Sequence, residues 1–346
     1  MVLHEPDPTI TYSIDIRNGG SSVGRTQELS LPPALDASTS LSSSPQFSCA
    51  PTRQRRRPYF LRICIHLVTC IILLVWSLVL LPKPPVVRGA FCNNTEISAP
   101  YQKESVSSLG VFGICFGIPF FLVATVELLF SAVRSTREES QEETGVTLFN
   151  RKLSRTLVDL YKYWGTLAVS LNLTFLLTNA LKAAVGSLRP HFLDVCKPDW
   201  SQVACKDSTG ERYVYVDNFH CTGDPKLMEE ARRSFPSGHS SCTVCGMLFG
   251  VLYLHFRFSS QRQSTGRCSE VPLKRGRKSA IVEQVYSAFQ ALVPFLQAIM
   301  LLVALYVPAT RVRENFHHGR DVAAGMAIGV LSTLYGFFLV LNVNGR

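Results

Sequence analysis

The chain has 346 residues, of which 47% are apolar and only 17% charged, and it carries a formal net charge of +10. Soluble domains average about 25% charged residues, so the composition argues against a soluble two-domain enzyme and against a disordered polyelectrolyte. The basic excess does not point to nucleic acid, because Lys and Arg gather beside long apolar runs, as at the cytoplasmic flanks of membrane helices.

Residues 1–58 come first and are polar, with Leu31-Pro32-Pro33 and a Ser-rich run from Ser38 to Pro45. Such a segment buries too little apolar surface to offset its ordering entropy, so it is predicted to be a disordered cytoplasmic tail. Its start holds Glu5, Asp7, Asp15 and Arg17 and lacks an apolar signal-peptide core, so the first span is expected to act as an uncleaved anchor. Six spans follow: Ile63–Leu81, Leu109–Val133, Tyr163–Leu181, Ser234–Leu254, Gln284–Thr310 and Val322–Gly345. Their interruptions are Glu127 in the second, His239 near the start of the fourth, and His66 in the first. A bilayer core of about 30 Å needs about 20 helical residues, and an isolated strand would leave its backbone unpaired in lipid. The fold class is therefore all-α, a polytopic protein with six transmembrane helices in a domain over 59–343.

Orientation is read from the basic residues. Arg53, Arg55, Arg56, Arg57 and Arg62 precede the first span, and Arg134, Arg137, Arg151, Lys152 and Arg155 lie between the second and third. Arg257, Arg262, Arg267, Lys274, Arg275, Arg277 and Lys278 lie between the fourth and fifth. These regions are predicted cytoplasmic, with both termini inside, which sends loops 82–108, 182–233 and 311–321 to the outer or lumenal face. Those loops hold Cys92, Cys196, Cys205 and Cys221, whose three full pairings sequence cannot rank. Cys242 and Cys245 lie inside an apolar span and are read as packing residues. The sequon Asn93-Asn94-Thr95 falls in the first outer loop and is expected to carry a glycan at Asn93, whereas Asn172-Leu173-Thr174 lies within a span.

The chemistry sits where spans meet outer loops. Lys182 and Arg189 are seven residues apart, about two helical turns, so they share a face if the helix continues to Pro190. Two such cations can hold an anion, Arg as a fork and Lys as a point charge; the bland alternative is a snorkelling pair at a helix end. Ser234-Phe-Pro236-Ser237-Gly238-His239-Ser240-Ser241 opens the fourth span with a helix start whose free N–H groups can receive an anion, and His239 there can donate a proton. Its bland reading is a capped helix with an interfacial His. From Thr310 to Asp321, Arg311 adds a third cation, and His317 and Asp321 are four apart, so on a helix their side chains would meet. The alternative is a loop of surface charges, with Arg313 and His318 as ordinary members. Together these segments place three cations, two histidines and a carboxylate on one predicted face, without a metal-ligand cluster. That set suits metal-free phosphoryl transfer.

Lys182–Pro190, Pro236–His239 and Arg311–Asp321 resemble, in order and spacing, the signature KxxxxxxRP…PSGH…SRxxxxxHxxxD of the type 2 phosphatidate phosphatase superfamily. Arg88-Gly-Ala-Phe-Cys92 and Arg189-Pro-His-Phe-Leu-Asp-Val-Cys196 are similar to its lipid phosphate phosphatase branch, and the likeness covers roughly 59–343. Thr310 replaces the signature Ser and keeps a hydroxyl. The resemblance implies that Lys182, Arg189, Ser237, Gly238 and Arg311 hold phosphate. It also implies that His317 attacks phosphorus, that Asp321 orients His317, and that His239 is the general acid and base. No cofactor is implied. The implied substrates are membrane lipid phosphates: phosphatidate, lysophosphatidate, sphingosine 1-phosphate and ceramide 1-phosphate. The expected setting is the bilayer, at the plasma membrane with an extracellular site or in an internal membrane with a lumenal one. Self-association into a homo-oligomer is compatible with the sequence. The rival readings are a transporter, with Glu127 as its polar group within a span, and a non-catalytic membrane scaffold using the tail and basic loops.

Overall fold

In the computed structural model, residues 59–80, 83–136, 147–148, 151–265 and 277–341 are described. The predicted tail at 1–58 lies outside them. Helix α1 spans Tyr59–Leu80. Helix α2 (Ser108–Phe112) runs through a π-helical turn at Gly113–Gly117 into α3 (Ile118–Thr136), and α4 covers Arg155–Val185. Two short helices follow, α5 (Phe192–Cys196) and α6 (Pro225–Ala231). The last three are α7 (Gly238–Thr265), α8 (Arg277–Arg313) and α9 (Gly319–Tyr335), the last continued by a π-helical turn over Gly336–Leu341. Among the described residues, six helical segments are long and apolar enough to cross a membrane, one for each predicted span. The chain is thus an all-α integral membrane protein.

The helices overrun the apolar stretches that announced them. Helix α4 starts eight residues before Tyr163, capped by the Ser154 hydroxyl, which accepts from Leu157 N–H, and α7 continues eleven residues past Leu254. An uncharged run marks what lipid requires, whereas a helix continues wherever its backbone stays satisfied. The fourth span differs at its start as well: its helix begins at Gly238, not Ser234, because Pro236 has no N–H to give and disfavours helical geometry at Phe235.

Helix α7 is central. Two-thirds of its span (67%) is buried against α8, α9, α4 and α3, whereas 6% of the α1 span is buried, and that helix packs on α4. Leu67, Ile71 and Trp76 of α1 are exposed, a surface suited to lipid tails. The α7–α9 contact is close because Gly325 and Gly329, one turn apart, face the carbonyl oxygens of Ser237 and Ser241. A Cβ at either glycine would run into those oxygens. This small-xxx-small face presses the start of α9 against the start of α7.

Loops 83–107 and 186–237 fold over the same end of the bundle. Strands β1 (Ala90–Phe91) and β4 (Tyr215–Val216) pair antiparallel, with Ala90 opposite Val216, while β2 (Thr147–Leu148) and β3 (Arg151–Lys152) form a separate hairpin. Disulfides join Cys92 to Cys205 and Cys196 to Cys221, which selects one of the three pairings. Ile97, Leu188, Phe192, Phe219 and Ala231 make an apolar core beneath them. Cys242 and Cys245 are buried, unpaired members of the helix-bundle core.

Candidate active site

Helix α4 stops before Arg189. Gly186 adopts φ 59°, donating its N–H to the Lys182 carbonyl, and a Cβ there would run into the Val86 carbonyl oxygen. The expected shared helix face for Lys182 and Arg189 therefore does not form, because a left-handed glycine ends the helix one turn past Lys182. Arg189 instead arrives along the following loop, its N–H donating to the Ala231 carbonyl at 2.7 Å. Its buried side chain has Nη2 3.4 Å from Glu230 Oε2, while Nε is buried without a hydrogen-bond partner among the described residues. Burial draws its pKa down from the usual Arg value, yet so strong a base stays charged. Lys182 reaches α7 directly: Nζ lies 3.6 Å from where a Cβ of Gly238 would be.

The segment Ser234–Ser241 is tied to α9. Ser234 Oγ donates to Asp321 Oδ2 at 2.5 Å, and Ser237 N–H donates to the Asp321 carbonyl at 3.0 Å. Ser237 Oγ accepts from Ser240 Oγ at 2.9 Å, so its hydroxyl closes the first turn of α7. The N–H groups of Gly238 and His239 are the first two of that helix and have no intrahelical acceptor, which leaves them for an anion. His239 Nε2 lies 3.2 Å from the Val106 carbonyl and 3.6 Å from Glu104 Oε2. The loop over residues 101–107 thus reaches the imidazole.

Helix α8 carries Arg311 in its last turn, buried to 1% exposure. Arg311 Nε donates to Thr310 Oγ1 at 3.1 Å and Nη2 to Glu314 Oε2 at 2.7 Å, while Nη1 faces Glu104 Oε2 at 3.6 Å. Asn315 then turns the chain at φ 59°, and Phe316 lies against both guanidinium groups, 5.5 Å from Arg189 and 5.6 Å from Arg311. His317 and Asp321 are consequently not on one helix. His317 lies in the turn and Asp321 in the first turn of α9, with His317 Nδ1 4.0 Å from Asp321 Oδ2. That oxygen accepts from His318 N–H at 3.1 Å and faces His318 Nδ1 at 3.1 Å, in addition to Ser234. Asp321 Oδ1 and His317 Nδ1 are buried without partners among the described residues.

The two adjacent histidines have opposite electrostatics. Burial, followed by the positive charges of Arg189 and Lys182, holds the His317 pKa well below the ordinary value of 6.5. It is therefore a neutral imidazole with a lone pair at neutral pH, as a nucleophile requires. The hydrogen bond to Asp321 raises the His318 pKa instead, and its Nε2 lies 3.0 Å from the Glu96 carbonyl. His191, whose pKa burial lowers to about 4, has Nδ1 2.8 Å from the Asn315 carbonyl, fixing the turn that presents His317.

All eight expected site residues gather at one end of the bundle. Asn93 lies apart and exposed, in the turn after β1. Glu104, Glu314, His191 and the Asp321 contacts of Ser234 and His318 were missed. His318 carries a signal in the sequence, an Asp three residues on, although the reading of the loop as surface charges makes it an ordinary member. Glu104 lies outside every motif. A cavity of about 350 Å³ borders the site, lined in part by Phe235 and Asp321 but by none of the three cations.

Comparison with known proteins agrees with this architecture. Residues 163–344, more than half of the chain, match the PAP2 superfamily. Rattus norvegicus phospholipid phosphatase 1 is 28% identical over 286 residues, covering 78% of this chain and 82% of that protein. Rattus norvegicus phospholipid phosphatase 2 is 30% identical over 76% of this chain and 80% of its own length. A putative phosphatidate phosphatase of Drosophila melanogaster is 30% identical over 72% of this chain and 60% of that protein. No solved structure gives a significant match. The chain belongs to the PAP2 superfamily.

Proposed function

We propose that this protein is a metal-independent lipid phosphomonoesterase that acts through a phosphohistidine. One observation carries the reading: Lys182, Arg189, Arg311, His239 and His317, drawn from separate elements, converge at one end of an apolar helix bundle. The cations, with the N–H groups of Gly238 and His239 and the packing of Ser237, hold the phosphate and spread its charge. His317 Nε2, the nitrogen remote from Asp321, attacks phosphorus, and Asp321 orients the ring and stabilises the developing positive charge. As the P–N bond forms, the P–O bond to the lipid breaks and His239 gives its proton to the leaving alkoxide. Water then attacks phosphorus, His239 takes a proton from it, and the P–N bond breaks to release phosphate.

The names of the relatives support a phospholipid substrate. A site at the end of a bundle can receive a headgroup while the acyl chains stay between helix and lipid, which suits phosphatidate, lysophosphatidate, sphingosine 1-phosphate and ceramide 1-phosphate. The basic regions beside α1, between α3 and α4, and between α7 and α8 support a topology with both termini in the cytoplasm and the site outside or in a lumen. The exposed Asn93 is then open to glycosylation. Purified protein should release inorganic phosphate from lysophosphatidate in excess EDTA and be inhibited by vanadate. Strict dependence on a divalent ion contradicts the reading.

A further inference from the structure

A general acid surrounded by cations needs an anion nearby to keep its proton. Lys182, Arg189 and Arg311 converge on the end of the bundle where His239 opens α7. Among the described residues, Glu104 is the carboxylate within ion-pair distance of it, with Oε2 3.6 Å from His239 Nε2 and 3.6 Å from Arg311 Nη1. The other carboxylates are engaged elsewhere: Glu314 on Arg311, Glu230 on Arg189, and Asp321 on Ser234 and His318. Glu104 is also held in place. The Val106 carbonyl faces His239 Nε2 and Arg311 Nη1, Tyr101 N–H donates to Asp194, Asn315 Nδ2 donates to the Pro100 carbonyl, and Ser107 caps α2. The loop therefore straps across the site with its carboxylate at the proton donor.

We propose that Glu104 is the positioning carboxylate of the general acid, holding the His239 ring and its proton where the lipid alkoxide departs. The proposal rests on the phosphomonoesterase reading and adds to it a residue outside the family signature. Glu104 is neither consumed nor bonded to phosphorus: His239 Nε2 stays beside Glu104 and the Val106 carbonyl, the proton passes from the opposite ring nitrogen, Nδ1, to the alkoxide oxygen, and the electron pair of the broken P–O bond forms the new O–H bond. A carboxylate beside the donor stabilises its charged form and fixes the ring, so its value depends on how much the leaving group needs a proton.

The test uses full-length protein and two esters: lysophosphatidate, whose alkoxide is a poor leaving group, and p-nitrophenyl phosphate, whose phenolate needs little help. Glu104→Gln is expected to lower kcat for the alkyl ester about 10-fold or more, a part of the 10²–10⁴-fold that a general acid supplies, and for the aryl ester less than about 3-fold. Glu104→Asp should restore most of the alkyl activity, and Glu104→Gln should cost nothing further in a His239→Ala background. Retained aryl turnover certifies folding. Equal losses on the two esters, or additive losses with His239→Ala, overturn the proposal while leaving the phosphatase reading intact. So does a fall in KM with kcat unchanged, which would make Glu104 an occupant of the phosphate's place. A wild-type protein that hydrolyses neither ester overturns both.

Discussion

Among the described residues, two buried charge clusters of the bundle are built differently. The first lies roughly 28 Å along α7 from Gly238, nineteen residues at 1.5 Å each. There Arg257 Nε and Nη2 donate to the two oxygens of Glu127 at 2.8 Å each, and the Tyr253 hydroxyl donates to Oε1 at 3.0 Å. Arg257 also reaches Asp159 at 3.3 Å, Arg134 lies 3.8 Å from the same carboxylate oxygen, and Phe130 lies 4.3 Å beneath the Arg257 guanidinium. At the other end, Arg189 Nε, His317 Nδ1 and Asp321 Oδ1 are buried without a hydrogen-bond partner among the described residues, as are the hydroxyls of Thr243, Ser279 and Ser332 elsewhere in the helices. An unpaired buried polar atom costs about 1–3 kcal/mol, more when it is charged, and Arg189 Nε is the charged donor that an incoming phosphate can satisfy. A buried charge inside a span is a functional candidate by default. Here Glu127 is fully buried yet fully paired, which makes it a clamp between α3, α4 and α7 and removes the main support for a transporter. Completeness of pairing, more than burial, separates staple from site.

Matched substitutions test this contrast. Arg257→Ala strands the Glu127 carboxylate and should cost about 3–5 kcal/mol of stability, the usual penalty for breaking a buried ion pair. The folded yield should fall sharply, while surviving molecules keep their turnover. Arg189→Ala should do the reverse, with a melting temperature close to wild type and kcat/KM down about 10²–10³-fold, as for loss of one transition-state donor. Thermal unfolding in detergent and phosphate release per folded molecule read both. If the two variants behave alike, the distinction between the clusters fails.

A smaller effect is expected from Gly325→Val. Overpacking between α9 and α7 should cost about 1–3 kcal/mol and displace the Ser237 backbone from Asp321, so stability and kcat fall together. Gly113→Val, at a position where a Cβ meets nothing within 4 Å, is the control.

The smallest effects concern pH. His317, with a folded pKa well below 6.5, contributes stability above 6.5 that is lost as pH falls below that value. Its lone pair persists there, so the acid limb of aryl phosphate turnover, corrected for ionisation of the ester, should lie below pH 6.5. His318, with a raised folded pKa, contributes stability that is fully present below 6.5 and lost as pH rises through its folded value. The stability difference between wild type and His318→Gln should therefore shrink with rising pH. An acid limb at or above 6.5, or a difference that grows with pH, contradicts these assignments.

The spans were legible in the sequence because lipid imposes a long uncharged run, and the three motifs because their spacing is local. Their geometry was not. Seven residues between Lys182 and Arg189 suggested two helical turns, but Gly186 packed on Val86 ended the helix. Four residues between His317 and Asp321 suggested one turn, but Asn315 and the start of α9 at Gly319 separated them. Arg257 read as a cytoplasmic loop charge until α7 carried it against Glu127, 130 positions away in sequence. Glu104 is invisible for the same reason: its partners come from α7 and α8, and no periodicity records a contact between a loop and two distant helices. The disulfide pairing likewise had to await the fold of the two loops.

The central claim is that His317 carries the phosphoryl group, and trapping it is the most direct test. Wild type, His239→Ala and His317→Ala would each be mixed with a phosphorus-labelled aryl phosphate, quenched rapidly, and assayed for acid-labile phosphoprotein. Loss of His239 spares the first step with this leaving group but slows the attack of water, so His239→Ala should accumulate labelled protein. His317→Ala should carry none and should turn over neither aryl nor lipid esters. Acid-labile label on His317→Ala, or none on a His239→Ala variant that still releases phenolate, would contradict the account.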